Sequence, residues 1–406
     1  MKRVYICLIS VSLILITSSI SAQITLTLEE CREMALTNSK ITSISQLKID
    51  KSFLEAQSYK TNFLPKFYSQ GSYSLYNKDF EYTLSIPELQ ILPPIPIELS
   101  MNNLYTFGIK ATQPIYMGGK IRGAYKASLI GSSITQLSKR VSDAQVIFEV
   151  DQAYWNLIKA IESTKLAMQY TELVNSLLQD VSNAYQSGMR NKVDVLMVDV
   201  KINEAKLALK KSENAVRLAN MNLAQKIGLP LSKDILPKYS IDNSVDGVII
   251  KGDSQAIVYE KDEFAMLSHK INLLQEHRKI LRAEYLPEVA IVASYDYANG
   301  LKINDHKVLD GTILNAMLMV KIPIFEWGGK RDKERAAKKE IDISIMEREN
   351  AKEMMILEIE QAKYMLEESY LLFNIANSAL LASDENLKMS NDAYSSLCIR
   401  DAQCRR

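Results

Sequence analysis

The side chains that most often carry chemistry are sparse in this chain and are not grouped. Of its 406 residues only three are histidines, and none of them has a cysteine or carboxylate cluster at a metal-ligand spacing. His269 and His277 belong to a polar helical pattern, so we expect them to be solvated, and His306 stands apart. Cys398 and Cys404 fall in a short basic tail. These residues predict no catalysis, no bound metal and no cofactor, so we do not expect an enzyme.

One short motif occurs twice, about 210 residues apart, and predicts a duplicated unit. It reads QPIYMGGK over 113–120 and IPIFEWGGK over 322–330. Lys120 and Lys330 suggest phosphate ligands, but Gly-Gly-Lys lacks the spacing of a phosphate-binding loop. Each copy instead ends an alternating apolar run at a proline and turns the chain at paired glycines. The predicted strand-to-helix junctions comprise Pro114, Gly118, Gly119, Pro323, Gly328 and Gly329.

Composition and the N-terminus set the compartment. A net charge of +1 gives no argument for a nucleic-acid partner. Residues 1–22 are predicted to be a secretory signal peptide, because Lys2 and Arg3 precede an apolar run that ends in small residues. An uncleaved membrane anchor is the alternative interpretation of this segment. No later segment is long and apolar enough for a helical span, so we expect any membrane crossing to use strands.

Two stretches alternate between apolar and polar residues and predict β-hairpins over 64–116 and 286–325. Each begins at a Leu-Pro pair, with prolines Pro65 and Pro287. We expect the proline-rich loop of the first hairpin, which includes Pro96, to be unable to continue a sheet. Strands of about ten residues with one apolar face suit a bilayer. A half-buried hairpin on a soluble core uses the same alternation, and the signal peptide favours the membrane.

Helical patterns fill most of the remaining chain. The first repeat, 23–230, is predicted to hold a helix over 27–63 and a helical hairpin over 121–228, whose returning helix carries an apolar heptad. An inter-repeat linker follows over 231–258. The second repeat, 259–406, is predicted to hold helices over 260–285 and 330–396, with no returning helix after them. We therefore expect a truncated product with one apolar helix face exposed.

The order of these motifs resembles the TolC-type outer-membrane efflux family. The resemblance is carried by the two Leu-Pro starts, the two Gly-Gly-Lys junctions, and AYQSG over 184–188 followed by VDVL over 193–196. It implies a mostly α fold with a membrane β portion, in which a homotrimer shares one β-barrel, four strands per protomer, above a periplasmic α-helical tunnel. The implied function is the passive exit duct of a tripartite efflux or type I secretion system in the bacterial outer membrane. The implied partners are a periplasmic adaptor protein, an inner-membrane pump and outer-membrane lipid, with no nucleic acid.

By the same resemblance, the periplasmic tip and its gate involve Tyr185, Gly188, Arg190 and Asp194, with Tyr394 at the matching place in the second repeat. Local roles are also open, because Gly188 suits a turn and Asp194 a helix start. The rival function from another class is a non-conducting periplasmic helical adaptor or structural coiled-coil protein.

Overall fold

The computed structural model of the protein describes residues 24–77, 80–84, 95–100, 103–239, 252–304 and 306–404. The predicted signal peptide and residues 240–251 of the predicted linker lie outside them. The chain divides into two compact units, one built from Met1–Leu47, Ser138–Asp262 and Met354–Arg406, the other from Lys48–Leu137 and Glu263–Glu353.

The first repeat begins with a short strand and two consecutive helices. They are β1 (Ile24–Leu26), α1 (Leu28–Asn38) and α2 (Lys40–Lys60). A reciprocal capping box starts α1, since the Glu30 backbone N–H donates to Thr27 Oγ1 at 3.2 Å and the Thr27 N–H donates to Glu30 Oε2 at 2.7 Å.

The single helix expected over 27–63 is interrupted at Ser39, which has extended backbone angles. The Ser39 N–H still donates to the Ala35 carbonyl at 3.0 Å, while its hydroxyl accepts from the Ile41 N–H at 3.2 Å. Serine therefore ends one helix and starts the next, because its hydroxyl satisfies a free amide at the break.

The longer helices lie close to their predicted limits, with one extension. The structure has α3 (Lys120–Gln186), α4 (Lys192–Lys226), β6 (Ile235–Pro237), α5 (Ser254–Glu260), α6 (Asp262–Ala283) and α7 (Gly329–Cys404). Helix α7 continues past residue 396, where the sequence pattern had predicted its end. The short parallel pair β1–β6 lies in the linker region, with Ile24 opposite Ile235.

The first unit has an apolar core between these helices and the β1–β6 pair. Its fully buried members come from α1, α3 and α4, and they include Cys31, Ala35, Val150, Tyr154, Leu157, Leu223 and Ile227. Three separate helices supply these residues, so burial in this unit depends on contacts distant in sequence.

The second unit contains an antiparallel sheet. Its strands are β2 (Lys66–Leu75), β3 (Phe80–Leu84), β4 (Ile95–Ser100), β5 (Asn103–Met117), β7 (Glu288–Ile303) and β8 (His306–Lys321). The main path runs β2–β5–β7–β8, so the two predicted hairpins pair with each other through β5 and β7. A small hairpin, β3–β4, joins the end of β7 through Leu99 and Ser100.

The expectation that the proline-rich loop cannot continue a sheet is wrong for Pro96. This residue lies in β4, opposite Thr83 of β3. Strand β4 meets β7 only at Leu99 and Ser100. At Pro96, strand β4 therefore pairs with β3 alone among the described strands, and proline is tolerated on such an edge strand.

The sheet has two chemically different faces. Its register puts apolar side chains of four strands in line on one face, where they are exposed, as at Phe67, Phe107, Ile109, Tyr295, Leu314 and Leu318. The opposite face carries Lys110, Ser294 and Asp296. The alternation predicted from the sequence is therefore present across β2, β5, β7 and β8.

Candidate functional sites at the helix turn and the glycine junctions

The turn between α3 and α4 is a Schellman motif centred on Gly188. The glycine has φ +72°, the left-handed region that favours glycine. The Met189 N–H donates to the Ala184 carbonyl at 2.8 Å, and the Gly188 N–H donates to the Tyr185 carbonyl at 2.9 Å. These two bonds satisfy the last carbonyls of α3, which explains why AYQSG stops a helix at this place.

Asp194 and Arg190 lie together at the start of α4. The Asn191 N–H donates to Asp194 Oδ2 at 3.4 Å, so this carboxylate is the N3 member of a capping box whose N-cap is Asn191. Arg190 Nη1 lies 3.9 Å from the same oxygen, and both side chains are exposed to solvent. An exposed pair at this distance stabilises a single hairpin by only about 0–1 kcal/mol.

The two tyrosines expected at the tip are placed on different helices. Tyr185 is in the last turn of α3, half exposed, and its hydroxyl makes no hydrogen bond to any residue that the structure describes. Tyr394 lies within α7, so it belongs to a helix separate from the α3–α4 turn.

The first junction fits closely against the end of α6. Gly118 and Gly119 have φ of +62° and +87°. A Cβ on Gly118 would lie 2.6 Å from the Ala283 carbonyl oxygen and 2.9 Å from Leu286 Cβ. Only glycine fits this close approach without a shift of the neighbouring backbone.

The second junction uses a different residue for the same turn. Here Trp327 and Gly328 take the left-handed conformation, with φ of +51° and +81°, and Gly329 is already the first residue of α7. The expected equivalence of Gly118–Gly119 with Gly328–Gly329 is therefore displaced by one residue. A bulky residue at positive φ is an uncommon and costly arrangement.

Lys330 has a structural partner at this junction. Its Nζ donates to the Glu284 carbonyl at 2.8 Å, just beyond the end of α6, and lies 2.5 Å from Glu326 Oε1. A cation suits the C-terminal end of a helix, where carbonyl oxygens are unpaired. This contact accounts for the lysine without a phosphate.

The two Leu-Pro strand starts have the same backbone turn. Leu64 donates to Thr61 at 3.0 Å and Leu286 donates to Ala283 at 3.1 Å, each between backbone groups just before Pro65 and Pro287. Proline then begins the extended segment, where its fixed φ and missing donor do no harm.

Sequence reasoning missed three polar residues that connect distant elements. Tyr154 is 1% exposed, and its hydroxyl donates to the Lys238 carbonyl at 2.7 Å. The Asn220 amide donates to the Lys233 carbonyl at 2.7 Å and accepts from the Ile235 N–H at 2.9 Å. Gln113 reaches the Phe63 carbonyl at 3.0 Å. Their only sequence signal was a polar residue within an apolar or strand pattern, which did not identify a partner.

Two properties of the described residues bear on function. No group of three or more histidine, cysteine, aspartate or glutamate side chains in this part of the chain could hold a metal ion. Among the helices that the structure describes, none combines the length and apolar character required to cross a membrane.

The first repeat matches a known protein family. Residues 32–229 match the family model described as outer membrane efflux protein. Over these residues the chain is similar to the outer membrane efflux protein family. The resemblance to TolC-type channels is thereby confirmed, and the matched range contains the α3–α4 turn and the first junction. A comparison with curated protein sequences finds no match.

Solved structures of membrane channels have a similar fold. CusC, crystallised in a study of folding and transmembrane channel formation, gives a TM-score of 0.69 at 16% identity, covering 88% of this chain and 79% of that one. The open state of the Neisseria gonorrhoeae MtrE outer membrane channel gives a TM-score of 0.69 at 17% identity, covering 91% of this chain and 79% of that one. The Campylobacter jejuni CmeC outer membrane channel gives a TM-score of 0.66 at 18% identity, covering 84% of this chain and 70% of that one. Nothing in these comparisons supports the non-conducting adaptor.

Proposed function

We propose that the protein is the outer-membrane channel of a tripartite efflux or type I secretion system. The observation that carries this function is the match of residues 32–229 to the outer membrane efflux protein family. That range runs from α1 through the first strand set and the α3–α4 hairpin. Its helices would extend into the periplasm while the sheet lies in the outer membrane.

The sheet itself favours a shared barrel. Strand β2 pairs only with β5 and strand β8 only with β7 among the described strands, so the four-stranded path leaves two edges open. An open edge exposes unpaired backbone groups, which a membrane does not tolerate. Pairing β8 of one copy with β2 of another removes both edges, and a homotrimer would close a barrel of twelve strands.

The apolar face of this sheet is suited to lipid and the polar face to an aqueous lumen. Lys110 and Asp296 would then lie inside the pore, while Phe107, Tyr295 and Leu314 would contact outer-membrane lipid. Conduction would be passive, selected by the charge and width of the lumen, and the chain would contribute no catalysis of its own.

The α3–α4 turn is the proposed periplasmic gate and the contact region for an adaptor protein and its inner-membrane pump. Tyr185, Arg190 and Asp194 are exposed or half exposed in a single copy. The weak Arg190–Asp194 pair within one hairpin leaves both charges accessible to a neighbouring hairpin. Closure would then come from pairs between hairpins, with Tyr394 on α7 as a further candidate.

Detergent extraction of outer membranes followed by native sizing tests the function. A channel predicts a heat-sensitive trimer that produces discrete conductance steps in planar bilayers. A matched sample heated before reconstitution should conduct nothing. A soluble periplasmic monomer without conductance would contradict the proposal and support a helical adaptor.

A further inference from the structure

The two glycine junctions differ in how much of each is covered by neighbouring residues. At the first junction, Gly118 lines a cavity of about 450 Å³ together with the end of α6 and the Leu286 turn. The same chain therefore supplies the surface that covers its first junction. Strand β5 also continues to Met117, directly before the glycines, because it pairs with β7 over this length.

At the second junction the end of α6 contacts Lys330 through the Glu284 carbonyl, and Tyr285 lines a cavity beside it, but the apolar side chains before the glycines stay exposed. Ile324 is 94% exposed, Phe325 70% and Trp327 90%. The rings of Phe325 and Trp327 lie 5.0 Å apart, so they form one apolar projection. Strand β8 ends at Lys321, and Ile322–Glu326 have no strand pairing in the structure.

The surface that would cover this junction by repeat symmetry is also open. The segment that covers Gly118 ends in Tyr285-Leu286-Pro287, and its counterpart in the first repeat is Phe63-Leu64-Pro65. Next to that counterpart is a mainly apolar cavity of about 570 Å³, whose lining includes Phe63, Leu64, Tyr125 and Leu129. It is the repeat equivalent of the cavity that Gly118 lines.

We propose that the second junction of one copy is an assembly plug for a second copy of this chain. In this arrangement Trp327 enters the cavity beside Phe63 and Tyr125 of the second copy, and Ile322–Glu326 extend β8 along its β2. The inference rests on the proposed homotrimeric channel and adds the segment and the cavity that join its protomers.

The register within one chain fixes the expected register between copies. Tyr116 lies opposite Val289 and Met117 opposite Glu288 in the β5–β7 pair. The repeat equivalents put Phe325 opposite Phe67 of the second copy and Glu326 opposite its Lys66. An aromatic pair and an opposite-charge pair are both favourable between strands.

The backbone conformation of Trp327 favours a junction in which its side chain packs against another surface and is not exposed to water. Left-handed φ is unfavourable for a bulky residue, and such conformations persist where surrounding contacts impose them. In a single copy the described residues leave this side chain almost fully exposed. Contacts in a second copy would supply the missing support. The cavity walls are aromatic and aliphatic at Phe63, Leu64 and Leu129, which suits an indole ring.

Disulfide cross-linking tests the register. Gln113 lies opposite Ile291 in the first pair, so Ile322 should lie opposite Ser69 of the second copy. With Cys398 and Cys404 replaced by serine, Ser69→Cys/Ile322→Cys should form linked dimers and trimers on a non-reducing gel. Gln70→Cys/Ile322→Cys is the matched control, because Gln70 points to the other face and should not link. A native trimer in which the Ser69 pair fails to link, or links no more than the control, would overturn the plug while leaving the channel intact. A native monomer would overturn both.

Tryptophan fluorescence tests the occupant of the cavity. The chain has two tryptophans, so Trp155→Phe leaves Trp327 as the single reporter. In the reconstituted trimer we expect Trp327 to be protected from acrylamide and from brominated lipid, and Phe63→Ala to restore acrylamide quenching several-fold. Phe148→Ala, at an exposed phenylalanine of the other unit, should leave the protection unchanged. Quenching of Trp327 by brominated lipid would mean that lipid is the occupant and would overturn the proposal.

Discussion

At the scale of single residues, Gly118 and Gly119 allow two effects of adding a Cβ to be compared: backbone strain at positive φ and steric overlap with neighbouring atoms. Both have positive φ, but only Gly118 has neighbours within the reach of a Cβ, and no described atom lies within 4 Å of one on Gly119. We expect Gly119→Ala to lose about 1–2 kcal/mol of stability, because an alanine at this position is strained by the left-handed backbone. Gly118→Ala should lose about 1–3 kcal/mol more through overpacking against Ala283 and Leu286. Chemical unfolding of the detergent-solubilised protein measures the difference, and equal losses would contradict it.

Tyr154 makes the buried polar contact with the clearest cost. Tyr154→Phe removes the donor to the Lys238 carbonyl and should destabilise the protein by about 1–3 kcal/mol. Tyr170→Phe, at an exposed position on the same helix, should change stability by less than about 0.5 kcal/mol. Chemical unfolding at pH 7 compares the two variants.

Tyr154 should also make the stability of the folded protein decrease at alkaline pH. Burial raises the pKa of the Tyr154 hydroxyl above its ordinary value of 10.0. The folded state therefore retains this proton more tightly than the unfolded state. The contribution of this protonated hydroxyl to the free energy of unfolding is complete below pH 10 and declines as pH rises through and above 10. Tyr154→Phe should lack that decline, and an unchanged alkaline slope would contradict the assignment.

At the scale of elements, an ionic cluster around Lys363 links the start of the linker helix α5 to α7. Lys363 Nζ donates to the Gly252 carbonyl at 3.1 Å and to Ser254 Oγ at 2.7 Å, and Ser254 donates to Glu360. The Ser254 hydroxyl, and next to it Lys363, lower the pKa of the Glu360 carboxyl below its ordinary value of 4.5. Acid should therefore weaken the attachment, since the stabilisation present above pH 4.5 is lost as pH falls through the lowered pKa.

Hydrogen exchange of Ser254–Glu260 measures this attachment. Protection of α5 should fall on acidification below pH 4.5, after correction for intrinsic exchange. Glu360→Gln should show lower protection at pH 7 and little further change in acid. Glu367→Gln, at an exposed carboxylate farther along α7, is the matched control and should behave as the unaltered protein. Equal acid sensitivity in all three would assign the effect to another group.

Local signals predicted the elements well, and non-local contacts explain the differences. The Thr27–Glu30 capping box and the Gly188 turn depend on a few consecutive residues, so their sequence patterns sufficed. Pro96 lies in a strand because of where β4 meets β7, and Trp327 takes the turn conformation predicted for a glycine. The partners of Tyr154 and Asn220 are backbone groups contributed by another element or a connecting loop. Such contacts follow from packing, which periodicity does not encode.

At the scale of the whole molecule, the open question for a channel is how Asp194 acts at the α3–α4 turn. It caps α4 through the Asn191 N–H and also carries a charge that an adjacent hairpin could pair. Asp194→Asn keeps an oxygen that can accept the capping bond but removes the charge, whereas Asp194→Ala removes both. If charge pairs between hairpins hold the channel closed, both variants should raise conductance in planar bilayers, by about tenfold for each 1.4 kcal/mol of closure lost.

A purely local role gives a different pattern for the same two variants. Asp194→Asn should then conduct as the unaltered channel does, while Asp194→Ala should lose about 0.5–2 kcal/mol of helix stability. Arg190→Gln provides an independent check, because it leaves the cap in place and removes the opposite charge. Raised conductance in both Asp194→Asn and Arg190→Gln, with α4 still protected in hydrogen exchange, would assign the gate to charge. Unchanged conductance in both would leave Asp194 as a helix cap and move the search for the gate to Tyr185 and Tyr394.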